Sequence, residues 1–179
     1  MKPMYQVFIA EDEPAALQHL CNIIRIKCQN FQVVGTAENG QEALEQLEKI
    51  HPDILITDVK MPIMDGIMLA KRVKERYPDL LTVIISGYQD FSYAQSALRF
   101  GVCDYILKPV KPSVLQESLR ILKGRLDEYY YKMRNRIIHE MCAGNFTENP
   151  GFQQIFPEEE YYTALLRKNS LPRRFLESQ

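Results

Sequence analysis

Short apolar runs alternate with amphipathic segments over the first two thirds of the chain. The apolar runs predict five strands, at residues 7–10, 31–35, 54–57, 81–85 and 104–107. Between them apolar residues recur every three or four positions, which predicts helices at about residues 14–28, 42–50, 66–77 and 93–100. The run at 54–57 is continuously apolar, as expected for a parallel strand buried on both faces. We therefore expect an α/β fold, a doubly wound five-stranded parallel sheet with (βα)5 topology.

A longer helical pattern begins at Ser113 and predicts an extended C-terminal helix. Its apolar positions alternate steps of four and three residues, which is a heptad-like spacing. This heptad seam consists of Leu115, Leu119, Leu122, Leu126, Tyr129 and Met133. One helix packed on the sheet explains the seam as far as Leu122, but little domain surface should remain beyond Leu126. We therefore expect contact with another helix there, and the end of the helix at residues 143–145.

These patterns divide the chain into three parts. Residues 1–126 form the α/β domain, residues 127–144 form a helical extension or linker, and residues 145–179 form a tail. The tail contains three prolines and three consecutive glutamates. We interpret it as a linker or as the truncated start of an output module.

Composition narrows the class of protein. The chain has 179 residues, 46% of them hydrophobic and 25% charged, with a formal net charge of -1. These values exclude wholesale disorder and a protein that coats nucleic acid through overall positive charge. No apolar run approaches the roughly 20 residues of a membrane span, and the acidic start is unlike a secretory signal. The four cysteines form no CxxC pair, so we expect reduced thiols and a cytoplasmic location.

Polar residues follow the predicted strands at the edge where an open parallel sheet binds its ligands. Glu11 and Asp12 follow the first strand, and Asp58, Ser86 and Lys108 follow the third, fourth and fifth. Converging carboxylates repel one another unless a hard cation such as Mg2+ neutralises them. A carboxylate can also be a nucleophile toward phosphorus, while a lysine and a hydroxyl hold the phosphoryl oxygens. Each residue alone has an ordinary structural explanation, but the set predicts a site of phosphoryl transfer.

Four motifs carry a resemblance to a known family. They lie at residues 7–14 (VFIAEDEP), 58–66 (DVKMPIMDG), 84–88 (IISGY) and 101–109 (GVCDYILKP). Through them residues 5–126 resemble the receiver domain of bacterial two-component response regulators, which implies a flavodoxin-like fold. The segments that start at Ser86 and at Asp104 are further similar to receivers attached to AraC-type DNA-binding domains.

The resemblance implies roles for individual residues. Asp58 corresponds to the phospho-acceptor, which takes a phosphoryl group from a sensor histidine kinase, and Lys108 and Ser86 correspond to its catalytic partners. Ser86 and Tyr105 correspond to the switch residues. Such a domain accepts a phosphoryl group and dephosphorylates itself, and it is not a turnover enzyme.

The resemblance also implies a bound Mg2+. Its ligands would be Asp12, Asp58 and the backbone carbonyl of Lys60, with Glu11 acting through water. Glu11 departs from the family pattern, in which aspartate is commoner at this position.

Partners follow from the same resemblance. Phosphorylation would switch a surface formed by the fourth helix, fifth strand and fifth helix, and a homodimer would form through that surface and the helical extension. DNA would be reached only through an output domain that is missing from this chain, for transcriptional regulation, and no membrane is involved. Alternatively, the chain is complete and signals by contact alone.

Other classes of protein fit the sequence less well. A phosphatase of the haloacid-dehalogenase type needs a second aspartate two residues after the first, where this chain has Lys60. A flavodoxin-like electron carrier needs a phosphate-binding first loop, and three carboxylates there would repel phosphate. A receiver used only as an inactive dimerisation scaffold would not need every group of the acceptor pocket.

Overall fold

The computed structural model describes residues 4–87 and 100–142. The fourth helix predicted at residues 93–100 lies, except for Phe100, outside the described residues, as do the predicted helix end at 143–145 and the tail. The chain divides into two units, Met1–Met133 and Arg134–Gln179. In the ranges that are described, no helix combines the length and apolar character that crossing a bilayer requires.

Five parallel strands form one sheet. They are β1 (Tyr5–Ala10), β2 (Phe31–Ala37), β3 (Ile54–Asp58), β4 (Leu81–Ser86) and β5 (Asp104–Leu107). Their order across the sheet is β2-β1-β3-β4-β5, and each neighbouring pair is parallel. The chain therefore winds from β1 first toward one edge and then toward the other, which confirms the predicted doubly wound fold.

Helices connect and cover the strands. They are α1 (Pro14–Lys27), α2 (Gly40–Ile50), α3 (Gly66–Arg76) and a C-terminal helix (Pro112–Cys142). Pro14 lies in the first turn of α1, where its missing N–H costs no hydrogen bond. α2 begins before the predicted start because Asn39 caps it, accepting a hydrogen bond from the N–H of Glu42 at 2.9 Å.

Alternate residues of the strands pack into different apolar layers. Val7 and Ile9 of β1 pack with α1 and the C-terminal helix, whereas Phe8 and Ala10 pack with α2 and α3. All five residues of β3 are buried, as its continuous apolar run predicted. Because helices cover both faces, the loops at the carboxyl ends of the strands are where polar residues can gather.

The heptad seam packs on the domain over its first four positions. These are Leu115, Leu119, Leu122 and Leu126, none more than 4% exposed. The expectation that little domain surface remains beyond Leu126 is wrong for the next turn, because Tyr130 packs against the same apolar cluster beside Tyr5. The domain reaches further than predicted because β1 begins at Tyr5. Contact between the helices of two copies stays a prediction.

Candidate functional site

Three carboxylates meet where two neighbouring strands end. β1 and β3 are adjacent in the sheet although β2 lies between them in the chain, so the crevice at which the winding reverses opens between their carboxyl ends. Glu11 and Asp12 follow β1, and Asp58 is the last residue of β3. One oxygen of each carboxylate lies within 4.8 Å of the others. Glu11 and Asp58 are buried, whereas Asp12 is exposed.

Lys108 brings an ammonium group to this cluster from beyond β5. Its Nζ lies 2.9 Å from both carboxylate oxygens of Glu11 and 3.1 Å from Oδ2 of Asp58. Its backbone N–H donates to the carbonyl of Ser86 at 2.8 Å, and its peptide bond to Pro109 is cis. β3 and β4 separate β1 from β5, so the contact with Glu11 depends on two long side chains that reach toward each other.

Burial and pairing together set the charges of this pocket. Burial raises the pKa of the Glu11 and Asp58 carboxyl groups, and their hydrogen bonds from Lys108 oppose the rise. Burial lowers the pKa of Lys108, but the two carboxylates outweigh it and the net shift is upward. Lys108 therefore stays protonated and is the counterion of two carboxylates that are shielded from water. Together with Asp12, three carboxylates face one ammonium group, and negative charge is in excess.

The oxygens of this pocket fit a hard divalent cation. Oε2 of Glu11 is buried and accepts no hydrogen bond of good geometry, although the ammonium nitrogen of Lys108 lies 2.9 Å away. Leaving a buried acceptor unsatisfied is costly, and Mg2+ with its ordered waters would satisfy it. Asp12 and Asp58 would supply the one or two direct carboxylate ligands that such a site commonly uses. Lys60 follows Asp58 by two positions, and its side chain is exposed.

The loop after β3 fixes Asp58 in place. The N–H of Val59 donates to Oδ1 of Asp58 at 2.8 Å, which leaves Oδ2 to face Lys108. Gly66, the first residue of α3, donates its N–H to the carbonyl of Val59 at 2.9 Å. A Cβ atom on Gly66 would lie 1.9 Å from the carbonyl oxygen of Asp58. Only glycine can therefore pass this close to the backbone that carries the aspartate.

The two predicted switch residues lie on neighbouring strands. Ser86 is completely buried at the end of β4, and Tyr105 is half-buried in β5. Tyr105 is in register with Ile84, and Leu107 is in register with Ser86. Tyr105 and Ser86 are therefore two residues apart along the strand direction and point to the same side of the sheet. Tyr105 packs against the small apolar cluster that contains Val59 and Ile84.

Two residues near the site have roles that the sequence did not reveal. Gly66 lies in the motif at residues 58–66, where Asp65-Gly66 is a recognisable turn signal. That signal does not predict the close approach of Gly66 to the backbone of Asp58. The second residue is His19, whose Nε2 lies 2.9 Å from the carbonyl oxygen of Val110 and so joins α1 to the loop after Lys108. His19 and Val110 are 91 positions apart, so no local sequence pattern connects them.

Comparison with known proteins identifies the family. The family described as response regulator receiver domain matches residues 7–120, well over half of the chain. The chain belongs to this family. The receiver domain expected from the four motifs is thus confirmed, and with it the assignment to two-component signalling. Receiver domains of response regulators are in general not turnover enzymes.

Individual relatives agree with this assignment. The chain is 31% identical over 163 residues to YesN, an uncharacterized transcriptional regulatory protein of Bacillus subtilis, and the match covers 91% of this chain and 42% of YesN. The receiver domain of AraT, a response regulator from Geobacillus stearothermophilus, is 40% identical with a TM-score of 0.66, covering 70% of this chain and 98% of that chain. The isolated receiver domain of RcsB from Salmonella enterica serovar Typhimurium, solved with the phosphomimetic BeF3-, is 27% identical with a TM-score of 0.64, covering 68% and 89%. The chain spans less than half the length of the first curated relatives.

Proposed function

We propose that this receiver accepts a phosphoryl group on Asp58 from a sensor histidine kinase. The observation that carries the proposal is the contact of 3.1 Å between Nζ of Lys108 and Oδ2 of Asp58, inside a cluster of three carboxylates. A nucleophilic carboxylate beside a fixed ammonium group is the arrangement that phosphoryl transfer to aspartate requires. Family membership supports the kinase as the donor.

The transfer exchanges one bond to phosphorus for another. A carboxylate oxygen of Asp58 forms the new O–P bond while the N–P bond of the phosphohistidine breaks, and the histidine nitrogen leaves with the electron pair. Lys108 and the hydroxyl of Ser86 bind phosphoryl oxygens as charge accumulates on them. We assign Mg2+ to Asp12, Asp58 and the carbonyl of Lys60, with Glu11 acting through water, and the ion would neutralise the charge of the carboxylates and the phosphoryl group. Hydrolysis of the same O–P bond by water ends the signal.

Phosphorylation would shift the balance between two packings of the domain. Ser86 would move toward the phosphoryl group and Tyr105 would turn into the space beside it, since both lie on one side of the sheet. New charge-assisted hydrogen bonds favour that packing and shift its population. The surface near β5 then changes, and we propose that this change favours a homodimer. We propose transcriptional regulation in the cytoplasm, through an AraC-type DNA-binding module, as the output. The similarity to a transcriptional regulatory protein supports the transcriptional part of this proposal.

Small-molecule phosphorylation tests the proposal without a known kinase. The chain is incubated with acetyl phosphate and Mg2+, and the phosphorylated fraction is read from intact mass and from phosphate-affinity electrophoresis. Wild type should gain one phosphoryl group, and Asp58→Asn or chelation of Mg2+ should abolish the gain. Asp79→Asn, at an exposed carboxylate outside the pocket, is the matched control and should react like wild type. Equal labelling of Asp58→Asn and wild type would contradict the proposal.

A further inference from the structure

Two tyrosine–aspartate pairs join the C-terminal helix to the start of the sheet. The hydroxyl of Tyr5, the first residue of β1, donates to Oδ1 of Asp127 on the helix at 2.5 Å. In the reverse direction, the hydroxyl of Tyr130 on the helix donates to Oδ1 of Asp53, just before β3. The two tyrosine rings lie 6.2 Å apart. We call Tyr5, Asp53, Asp127 and Tyr130 the tyrosine–aspartate clamp.

Neighbouring groups hold both carboxylates of the clamp in place. Oδ2 of Asp53 accepts the backbone N–H of Gln6 at 2.6 Å, and Asp53 is only 7% exposed. Oδ2 of Asp127 pairs with Nζ of Lys123 at 2.6 Å. Hydrogen bonds from a neutral donor to an ionised acceptor are stronger than those between neutral groups. Burial, together with the facing carboxylates, raises the pKa of both tyrosines, so both remain donors at neutral pH.

The clamp lies just after a glycine, Gly124, that lowers the stability of the C-terminal helix. Gly124 is exposed, and a Cβ atom there would meet nothing within 4 Å. Glycine is the least favourable residue, after proline, for the interior of a helix, and this one gains nothing from close packing. The helix before Gly124 is held by Leu115, Leu119 and Leu122. The turn after it is held by Leu126, by the clamp and by the hydroxyl of Tyr129, which donates to Oδ2 of Asp79 at 3.3 Å.

The seam residues next to the clamp already pack on the chain's own domain. The leucines of the seam, as far as Leu126, are buried against the chain's own domain. A heptad seam can pair with a second helix only through exposed positions. Leu126 of the seam and Tyr130, which lies beside the seam, are therefore available to a second copy only after they leave the domain. The hydroxyl bonds of the clamp oppose that departure.

We infer that the tyrosine–aspartate clamp is an autoinhibitory contact. It holds the turn after Gly124 on the receiver and thereby prevents Leu126 and Tyr130 from pairing with the C-terminal helix of a second copy of this chain. The inference does not depend on phosphorylation of Asp58, since every contact that carries it lies in the unphosphorylated chain. Its failure is therefore separate from a failure of the proposed phospho-acceptor function.

The test uses the full chain with the double variant Tyr5→Phe/Tyr130→Phe and no phosphodonor. The variant keeps both rings and removes both hydroxyls. We expect hydrogen exchange of the backbone amides at residues 125–133 to quicken about tenfold or more, while residues 115–122 exchange as in wild type. Light scattering over a range of concentrations should show a dimerisation constant tighter by the square of that factor, about 100-fold or more, because both copies must release the turn. Tyr131→Phe, at an exposed position of the same helix, is the matched control and should change neither measurement.

Three results would overturn the inference. Unchanged exchange at residues 125–133 would show that the hydroxyls do not hold the helix. Faster exchange without tighter dimerisation would show a clamp that is structural only, and an equal effect of Tyr131→Phe would show that the clamp is not specific. If the double variant does not fold, the single variant Tyr130→Phe is read by the same criteria, with a smaller expected change.

Discussion

Replacement of Gly66 by alanine tests how strictly the backbone positions the phospho-acceptor. The added Cβ atom would lie 1.9 Å from the carbonyl oxygen of Asp58 and 2.9 Å from Oγ1 of Thr57. The first contact is with backbone, which cannot rotate away as a side chain can. To reach even 3.0 Å, the shortest separation that real Cβ atoms tolerate, α3 and the end of β3 must move apart by about 1.1 Å.

This displacement should affect both stability and chemistry. Overpacking a close contact costs about 1–3 kcal/mol, so the free energy of unfolding should fall by that amount. A displacement of about 1 Å at a reacting group can slow a reaction about 100-fold, and we expect a loss of that order in the rate of phosphorylation of Asp58.

The assay compares three proteins under identical conditions. Urea denaturation gives the free energy of unfolding, and the phosphorylated fraction after mixing with acetyl phosphate and Mg2+ gives the rate. Gly124→Ala is the matched control, because a Cβ atom there meets nothing within 4 Å. It should stabilise the chain by about 0.5–1 kcal/mol and leave the rate unchanged. A folded Gly66→Ala protein that is phosphorylated within twofold of the wild-type rate would refute the reasoning.

Three further predictions concern the charges of the structure. Asp58→Asn, measured by urea denaturation in the presence of a chelator, should raise the free energy of unfolding at pH 7. Burial raises the pKa of this carboxyl group, so its charge costs stability above the folded pKa, and the gain should vanish at low pH, where the carboxyl is protonated in both states. Glu11→Asp should withdraw the carboxylate from Lys108 and lower stability by about 1–3 kcal/mol, measured in the same way; an unchanged value would mean that the ion pair contributes nothing. Burial and the facing carboxylates raise the pKa of Tyr5 and Tyr130, so above pH 10 the unfolded chain loses protons that the folded chain keeps. The two tyrosines should then lower stability by up to about 2.7 kcal/mol per pH unit. Tyr130→Phe should remove half of that contribution, and equal slopes for the variant and wild type would contradict the shift.

The fold was predictable because its signals are local. Each strand is a short apolar run, and the continuous run at residues 54–57 indicated burial on both faces, which is typical of parallel strands. Element ends were less accurate where a single side chain decides them. α2 begins earlier than the apolar pattern predicted because Asn39 caps it. β1 begins at Tyr5, before the predicted strand, because the ring of Tyr5 is buried.

The pairings inside the site depend on tertiary structure. The motifs placed Glu11, Asp58 and Lys108 at strand ends, but the contact between Lys108 and both carboxylates follows from the strand order β1-β3-β4-β5. The bond between His19 and Val110 likewise joins segments that only the folded chain brings together. A spacing pattern carries no information about such contacts, because they arise after the sheet has formed.

The heptad seam shows a different limit of the sequence. Its spacing indicates that one face of the helix is buried, and it does not say against what. In the structure that face contacts the chain's own domain as far as Leu126, and Tyr130, one residue past the predicted seam position, continues the contact. A second copy of the helix would produce the same pattern.

The most direct test of the account identifies the residue that carries the phosphoryl group. The chain is phosphorylated with acetyl phosphate and Mg2+, reduced with borohydride to convert an aspartyl phosphate into homoserine, digested with trypsin and sequenced by tandem mass spectrometry. The tryptic peptide of residues 50–60 contains both Asp53 and Asp58, so the fragment ions distinguish a pocket residue from a clamp residue within one peptide. The account predicts homoserine at position 58 alone. Homoserine at position 53 or 12, or an unmodified Asp58 in chains whose mass shows the added phosphoryl group, would contradict it.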